Sequence, residues 1–245
     1  MLTLAGPFDL ALSLKAAASF LPAQGPMPTV LRAGVHLDDR PVLIEVRQSR
    51  PRLEVIGPTH LTAVKLREIA AWLINANLDL RPFYTLTDSH PVMGPVAQSL
   101  FGLKPLRPAS LFEMLVIAIT EQQLSLAAAF HIRHRLVERF GTRIDGIWLF
   151  PTPASLAEAP LAALKACGLS GRKAEYVAAL ASEIAAKRLN LAPLKTMSDA
   201  EVREVLARRR GLGDWSIDYI LARGLGRLDC LPLGDAGLRR VVGRY

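Results

Sequence analysis

Arg208-Arg209-Arg210-Gly211-Leu212-Gly213-Asp214-Trp215 is the stretch whose reading decides the fold. Before it, residues 198–206 read as a helix. Ser198 and Glu201 form an S-x-x-E capping box, and Val202, Val205 and Leu206 recur at helical spacing. After it, Trp215, Ile217, Tyr219, Ile220 and Leu221 begin a second helix. Gly211 and Gly213 mark the turn, because glycine reaches backbone angles closed to other residues and lets N–H groups approach a bulky group. A G-x-G turn between helices has two readings: a plain αα-hairpin, or an anion site at the positive end of the second helix.

Working outward, the next informative stretch is Leu231-Pro232-Leu233-Gly234-Asp235-Ala236-Gly237-Leu238-Arg239-Arg240. It sets a carboxylate after a Pro/Gly-containing loop at the start of another helix. As structure, Asp235 is an N-cap for residues 236–242; as chemistry, it is an anion that can stabilise positive charge. The two roles are compatible. Of its rivals, Asp214 and Asp218 fall on the helix after the hairpin, and Asp229 reads as a cap or an arginine partner. Trp215 and Tyr219, four apart, share a helix face. They read either as core or as an aromatic surface.

The remaining composition sets bounds. The 245 residues, 51% hydrophobic and 21% charged, are ample for a buried core. A net charge of +8 and a pI near 9.9 favour a polyanionic partner. Cys167 and Cys230 are the only cysteines, too few for a four-thiolate cluster or zinc knuckle, so a reducing cytoplasm is expected. The five histidines lack metal spacing; His131 and His134 share a face without a carboxylate pattern, and no metal site is expected. The apolar run 10–21 has no basic start and is broken by Lys15, so it reads as a helix capped by Asp9 rather than a leader. No stretch reaches the length of a membrane span.

Taken in order, the chain opens with a candidate strand at 2–4 and a helix at 9–20. Residues 30–37, 42–48 and 53–56 read as antiparallel strands, with Asp38-Asp39 and Ser49-Arg50-Pro51 as turns. A helix is expected over 61–77. From Leu80 onward strand-like alternation stops, and helices are expected at 108–119, 122–140 and in two parts across 161–187. The polar break Glu121-Gln122-Gln123 between two apolar helices reads as capping and hydrogen bonding between segments. Cys167-Gly168-Leu169-Ser170-Gly171-Arg172-Lys173 splits the later pair, with Gly168 ending one helix and Ser170 capping the next. Arg172 and Lys173 face solvent or phosphate.

The hairpin, the Gly/Pro loop and the aspartate together resemble the helix-hairpin-helix, Gly/Pro-rich loop, aspartate DNA glycosylase superfamily, and within it the DNA-3-methyladenine glycosylase II family. The G-L-S-x-x-K-A turn at 168–174 and the stretch Asp79-Leu80-Arg81-Pro82-Phe83-Tyr84 are similar to that family's as well. The resemblance implies an α+β protein: an amino-terminal antiparallel sheet with helices over 1–80, then an all-α helix-hairpin-helix region over 81–245. Family members continue beyond the position of Leu238, so that region is expected to be cut short at Tyr245. The implied activity is monofunctional hydrolysis of the N-glycosidic bond of alkylated purines such as 3-methyladenine in double-stranded DNA. Asp235 is then the catalytic carboxylate, and Trp215 and Tyr219 form an electron-rich pocket that favours a cationic base.

Gly211, Leu212, Gly213 and Arg210 would contact DNA. Arg208, Arg209, Arg239, Arg240 and Arg244 would add charge, and Gln123, beside Gln122, would fill the gap left by the everted base. Lyase members carry a lysine after G-x-G-x; here that position is Trp215. No cofactor is implied beyond a monovalent cation at hairpin carbonyls. A monomer acting on damaged double-stranded DNA in the cytoplasm, at the nucleoid and away from membranes, is expected. The alternatives are a glycosylase for deaminated bases and a non-catalytic helix-hairpin-helix DNA-binding protein.

Overall fold

The computed structural model describes residues 2–17, 29–38, 40–49 and 52–243. Phe20 of the first expected helix, Asp39 and Arg50-Pro51 of the expected turns, and Arg244 lie outside the described residues.

Near the amino terminus, β1 (Val30–Leu37), β2 (Arg40–Ser49) and β3 (Arg52–Ile56) form an antiparallel sheet in the order β1-β2-β3. Val35 pairs with Val42, and Glu45 with Ile56. Alternation sends Val42, Ile44 and Val46 to one buried face. There they meet Leu10 and Leu14 of α1 (Leu10–Ala17) and Leu73 of α2 (Ala63–Leu73). Asp9 caps α1 as expected, accepting from the Leu12 N–H at 2.9 Å. Residues 2–4 form no strand; instead the Ala5 N–H donates to the Ala76 carbonyl. The α2 helix is shorter than its apolar period, because Thr62 caps its start and Asn75 turns left-handed, at φ +54°, after its end.

Beyond residue 80 helices dominate: α3 (Arg81–Thr87), α4 (Met93–Ser99), α5 (Leu111–Glu121) and α6 (Leu126–Phe140), then α7 (Pro153–Ala157), α8 (Leu161–Ala166) and α9 (Gly171–Ala185). The series closes with α10 (Asp199–Ala207), α11 (Asp214–Tyr219), a π-helical turn over Ile220–Gly224, and α12 (Ala236–Val242). In α5 every residue but Glu113 and Glu121 is buried, as in a helix surrounded by others. Its neighbours α6 and α9 and the helix after the hairpin complete one core, and a second lies under the amino-terminal sheet.

One element departs from the expected all-α region. β4 (Thr142–Ile144) and β5 (Ile147–Leu149) pair antiparallel around Asp145 and Gly146, both at positive φ (45° and 79°). That is the backbone of a two-residue hairpin turn, and Asp-Gly is its usual sequence. The hairpin packs on the amino-terminal sheet so closely that a Cβ on Gly34 would lie 2.3 Å from Leu149 Cγ. Lys104 ties the amino-terminal segment to the turn after α2. It is fully buried, and its Nζ donates to the carbonyls of Ala5 at 2.7 Å and Ala76 at 3.2 Å.

Candidate active site and nucleic-acid interface

The capping box of α10 is present, with the Ser198 hydroxyl and the Glu201 carboxylate exchanging bonds with each other's backbone N–H. The turn after it depends on its two glycines for different reasons. Gly211 has φ +90°, and a Cβ there would lie 2.4 Å from Cδ2 of the Tyr176 ring. Gly213 has an ordinary φ of −88°, is exposed, and a Cβ on it would meet nothing within 4 Å. Protein packing therefore demands the first glycine but not the second. Among the described residues, the Gly211 and Gly213 N–H groups make no hydrogen bond, which leaves two donors at the turn. Leu212 is buried in the core, and its N–H is spent on the Arg209 carbonyl.

The three arginines divide. Arg208 pairs with Glu204, and Arg209 pairs with Glu183 at 3.2 Å. Arg210 is exposed and forms no ion pair among the described residues. Arg240 is exposed as well, whereas Arg239 Nε is held by the Leu233 carbonyl at 2.8 Å.

Twenty residues beyond the hairpin, the Gly/Pro loop brings Asp235 back to it. Oδ1 accepts from the Leu238 N–H at 2.8 Å and caps α12, while Oδ2 accepts from Trp215 Nε1 at 3.2 Å. The N-cap reading of Asp235 therefore holds, and its second oxygen is held by the Trp215 indole. Trp215 in turn stacks on Tyr219, with ring centroids 5.2 Å apart and planes inclined by 23°. The carboxylate thus stands at one end of a partly exposed aromatic pair.

At the other end is a group the motif reading left unassigned. The Tyr219 hydroxyl lies beside Glu121, which also faces Arg133 at 3.7 Å. Burial pushes the Glu121 carboxyl above the usual carboxylate range. The Tyr219 hydroxyl, Arg133 and Arg223 oppose that shift, and the charge of Asp235 adds to it. Burial, with help from the Glu121 charge, also raises the Tyr219 phenol, which stays protonated at all working pH. Beyond Tyr219, a cavity of about 70 Å³ is bordered by Met114, Ile117, Phe130, Arg133 and Arg223.

The Glu-Gln-Gln break ties the two halves together. Gln122 Nε2 donates to the Gly211 carbonyl and to Ser216 Oγ, both at 2.7 Å, so this side chain does link segments as expected. Gln123 is exposed at the tip with φ +54°. Lys173 faces neither solvent nor phosphate: its Nζ donates to the carbonyls of Thr120 at 2.8 Å and Gln122 at 2.6 Å, closing the end of α5. Arg172 is exposed. Sequence reasoning missed Glu121, Arg133 and Arg223. For Glu121 a signal existed, since Met114, Ile117 and Glu121 share one face of an otherwise apolar helix.

Among the described residues, no three His, Cys, Asp or Glu side chains are grouped to hold a metal ion, and no helix is long and apolar enough to cross a membrane. Both cysteines are free thiols, and Cys230 Sγ donates to Asp199 at 3.2 Å.

Comparison with known proteins converges on one group. Residues 116–245 match the model of the family described as HhH-GPD superfamily base excision DNA repair protein. A DNA-3-methyladenine glycosylase of Bacillus subtilis is 30% identical over 164 residues, which is 65% of this chain and 54% of that one. The chain spans about half the length of the curated relatives it matches. A solved 3-methyladenine DNA glycosylase from Archaeoglobus fulgidus is 26% identical and superposes with a TM-score of 0.83, covering 99% of this chain and 84% of that one. A Schizosaccharomyces pombe 3-methyladenine DNA glycosylase in complex with abasic DNA is 25% identical with a TM-score of 0.54, covering 63% and 74%.

Proposed function

From the premise that the chain belongs to the HhH-GPD superfamily of base excision DNA repair proteins, we propose that it hydrolyses the N-glycosidic bond of alkylated purines, such as 3-methyladenine, in double-stranded DNA. The observation that carries this reading is the carboxylate of Asp235, fixed by Trp215 Nε1 beside the Trp215–Tyr219 pair. A damaged nucleotide is turned out of the duplex, and its cationic base lies against the electron-rich rings, which attract it more than a neutral base. As the bond to the sugar breaks, positive charge grows on the deoxyribose ring. Asp235 stabilises that charge and orients the water that adds to C1′. Gln123, exposed on a left-handed turn, fills the vacated stack.

The Gly211 and Gly213 N–H groups and Arg210 hold the phosphates, so binding weakens as salt rises and carries no sequence preference. Carbonyl oxygens are the hard donors a monovalent cation takes. Those of Arg209 and Gly211 keep a lone pair after accepting from the Leu212 N–H and Gln122 Nε2, so they would hold such an ion and add positive charge near the phosphate. No organic cofactor enters. Trp215 occupies the position of a lyase lysine, and the Lys173 amine is committed to two carbonyls, so the reaction stops at an abasic site. We assign the action to a monomer at the chromosome.

The test is release of free base from methylated duplex. Asp235→Asn is expected to lower release by about a hundredfold or more while duplex binding stays within a fewfold. Undiminished release by the variant overturns the assignment, and borohydride trapping of a covalent DNA adduct overturns the hydrolytic end point.

A further inference from the structure

To fill the stack that an everted nucleotide leaves, the Gln123 side chain must arrive at one place relative to the gripped phosphate. The backbone around it fixes that place. Gln122 leaves α5 at φ −52° and ψ 127°, and Gln123 turns left-handed at φ +54°. A residue with a Cβ keeps such an angle only where its surroundings over-determine it.

Two side chains supply those surroundings. On one side Lys173, in the first turn of α9, donates through Nζ to the carbonyls of Thr120 at 2.8 Å and Gln122 at 2.6 Å. The last carbonyls of a helix have no partner within it, and an ammonium also meets the negative end of the helix dipole. On the other side Gln122 Nε2 donates to the Gly211 carbonyl and Ser216 Oγ, both at 2.7 Å. Past the tip, the Leu124 N–H returns to the Glu121 carbonyl at 3.3 Å, and Ser125 caps α6. Gln123 itself is exposed, and its side chain makes no hydrogen bond among the described residues. The anchors surround the tip and leave that one side chain free.

Lys173 closes the helix end against a desolvation penalty. Burial holds its amine below the ordinary value, and it pairs with no carboxylate among the described residues. An exposed lysine in the last turn of α5 would answer the dipole without that penalty, yet that turn has no basic residue. What the half-buried amine adds is a pair of fixed bonds to carbonyls 53 and 51 residues away in the sequence.

We propose that Lys173 is a positioning residue for base eversion: with Gln122 it locks Gln123 to the hairpin, so that one frame sets the inserting side chain, the Gly211 and Gly213 donors and the Asp235 carboxylate. The frame is continuous, because Ser216 follows Trp215, whose indole holds Asp235. The inference rests on the readings of Gln123 and Asp235 given above. A loose tip leaves the phosphate grip in place, so duplex still binds, but less of the bound duplex has its nucleotide everted.

The experiment is a double-mutant cycle of Lys173→Met and Gln123→Ala. It reads release of 3-methyladenine from methylated duplex in a single turnover at saturating protein, with duplex affinity measured beside it. Methionine keeps the apolar stem and removes the donors. Lys173→Met is expected to slow saturated release about tenfold or more while affinity stays within a fewfold. Gln123→Ala slows it too, and in that background Lys173→Met adds less than about twofold, because an interaction already lost cannot be lost again. Should Lys173→Met not fold, Gln122→Met removes the other anchor and is expected to give the same pattern.

Losses that multiply in the double variant overturn the proposal, and they are what general damage to the fold would give. So do release at the parent rate by Lys173→Met, a loss confined to affinity, or failure of both anchor variants to fold, which assigns the anchors to stability alone. These results leave the readings of Gln123 and Asp235 standing. Parent-rate release by Gln123→Ala defeats its filling role and this inference with it, and no release by the unaltered protein defeats the reading of Asp235 as well.

Discussion

Alanine at Gly211 and alanine at Gly213 are expected to fail in opposite ways, although only one residue separates the two positions. At Gly211 the backbone is left-handed, at φ +90°, which costs a residue with a Cβ about 1–2 kcal/mol. The new methyl would also lie 2.4 Å from Cδ2, 2.7 Å from Cγ and 3.0 Å from Cβ of Tyr176. These atoms are the root of the ring, so it cannot swing aside, and forcing a methyl into a packed core costs about 1–3 kcal/mol more. The sum is about 2–5 kcal/mol. In a chain of this size each kcal/mol lowers the melting temperature by about 2–4 °C, so Gly211→Ala should melt about 4–20 °C early.

At Gly213, φ is −88° and a Cβ meets nothing within 4 Å. The smaller entropy of the unfolded chain offsets the weaker capping by alanine, and stability should stay within about 1 kcal/mol. Its cost appears only with DNA, where the methyl stands between the hairpin amides and a phosphate, and affinity should drop about tenfold, or about 1.4 kcal/mol. Thermal unfolding and fluorescence anisotropy on a labelled duplex read the two effects separately. Native affinity in Gly213→Ala would refute the hairpin as the phosphate grip, and native melting in Gly211→Ala would refute the packing argument.

Two further perturbations probe what holds the site in place. Gln122→Ala strands the Gly211 carbonyl and Ser216 hydroxyl, each of which had a 2.7 Å donor, and should cost about 1–3 kcal/mol in a denaturant melt. Gln122→Glu should be worse, because it sets a carboxylate oxygen against the Gly211 carbonyl; a variant as stable as the parent would show that the bridge is idle. Burial pushes the Lys104 amine down to about 8 from its ordinary 10.5, with Asp79 only partly offsetting it. The folded chain then releases this proton near pH 8 while the unfolded chain holds it to about 10.5, so stability from this residue rises with pH across that window. Lys104→Met should remove the rise, and parallel pH profiles for the two proteins would contradict it.

How much of this was legible depends on how far along the chain the cause lies. The capping box of α10, the Ser170 cap and the Asp235 cap need partners three residues away, and the sequence displays them directly. The Asp145-Gly146 hairpin was equally local, yet three-residue strands offer too little alternation to register as a period. Lys173 is a different case. Its carbonyl partners lie 51 and 53 residues away, and only the packing of α9 on α5 decides that it closes a helix rather than meeting solvent.

Glu121 lies between these extremes. That it is an acid on the buried face of an apolar helix can be read from spacing. That Tyr219, Arg133 and Asp235 surround it cannot, because they come from three later elements. A single polar residue on an apolar stripe therefore marks where to look, and the fold supplies the neighbours that give it a chemistry. By the same logic Gly213 is the more open of the hairpin glycines: neither its own φ nor any neighbouring atom requires it, and what it does within the chain is cap α11.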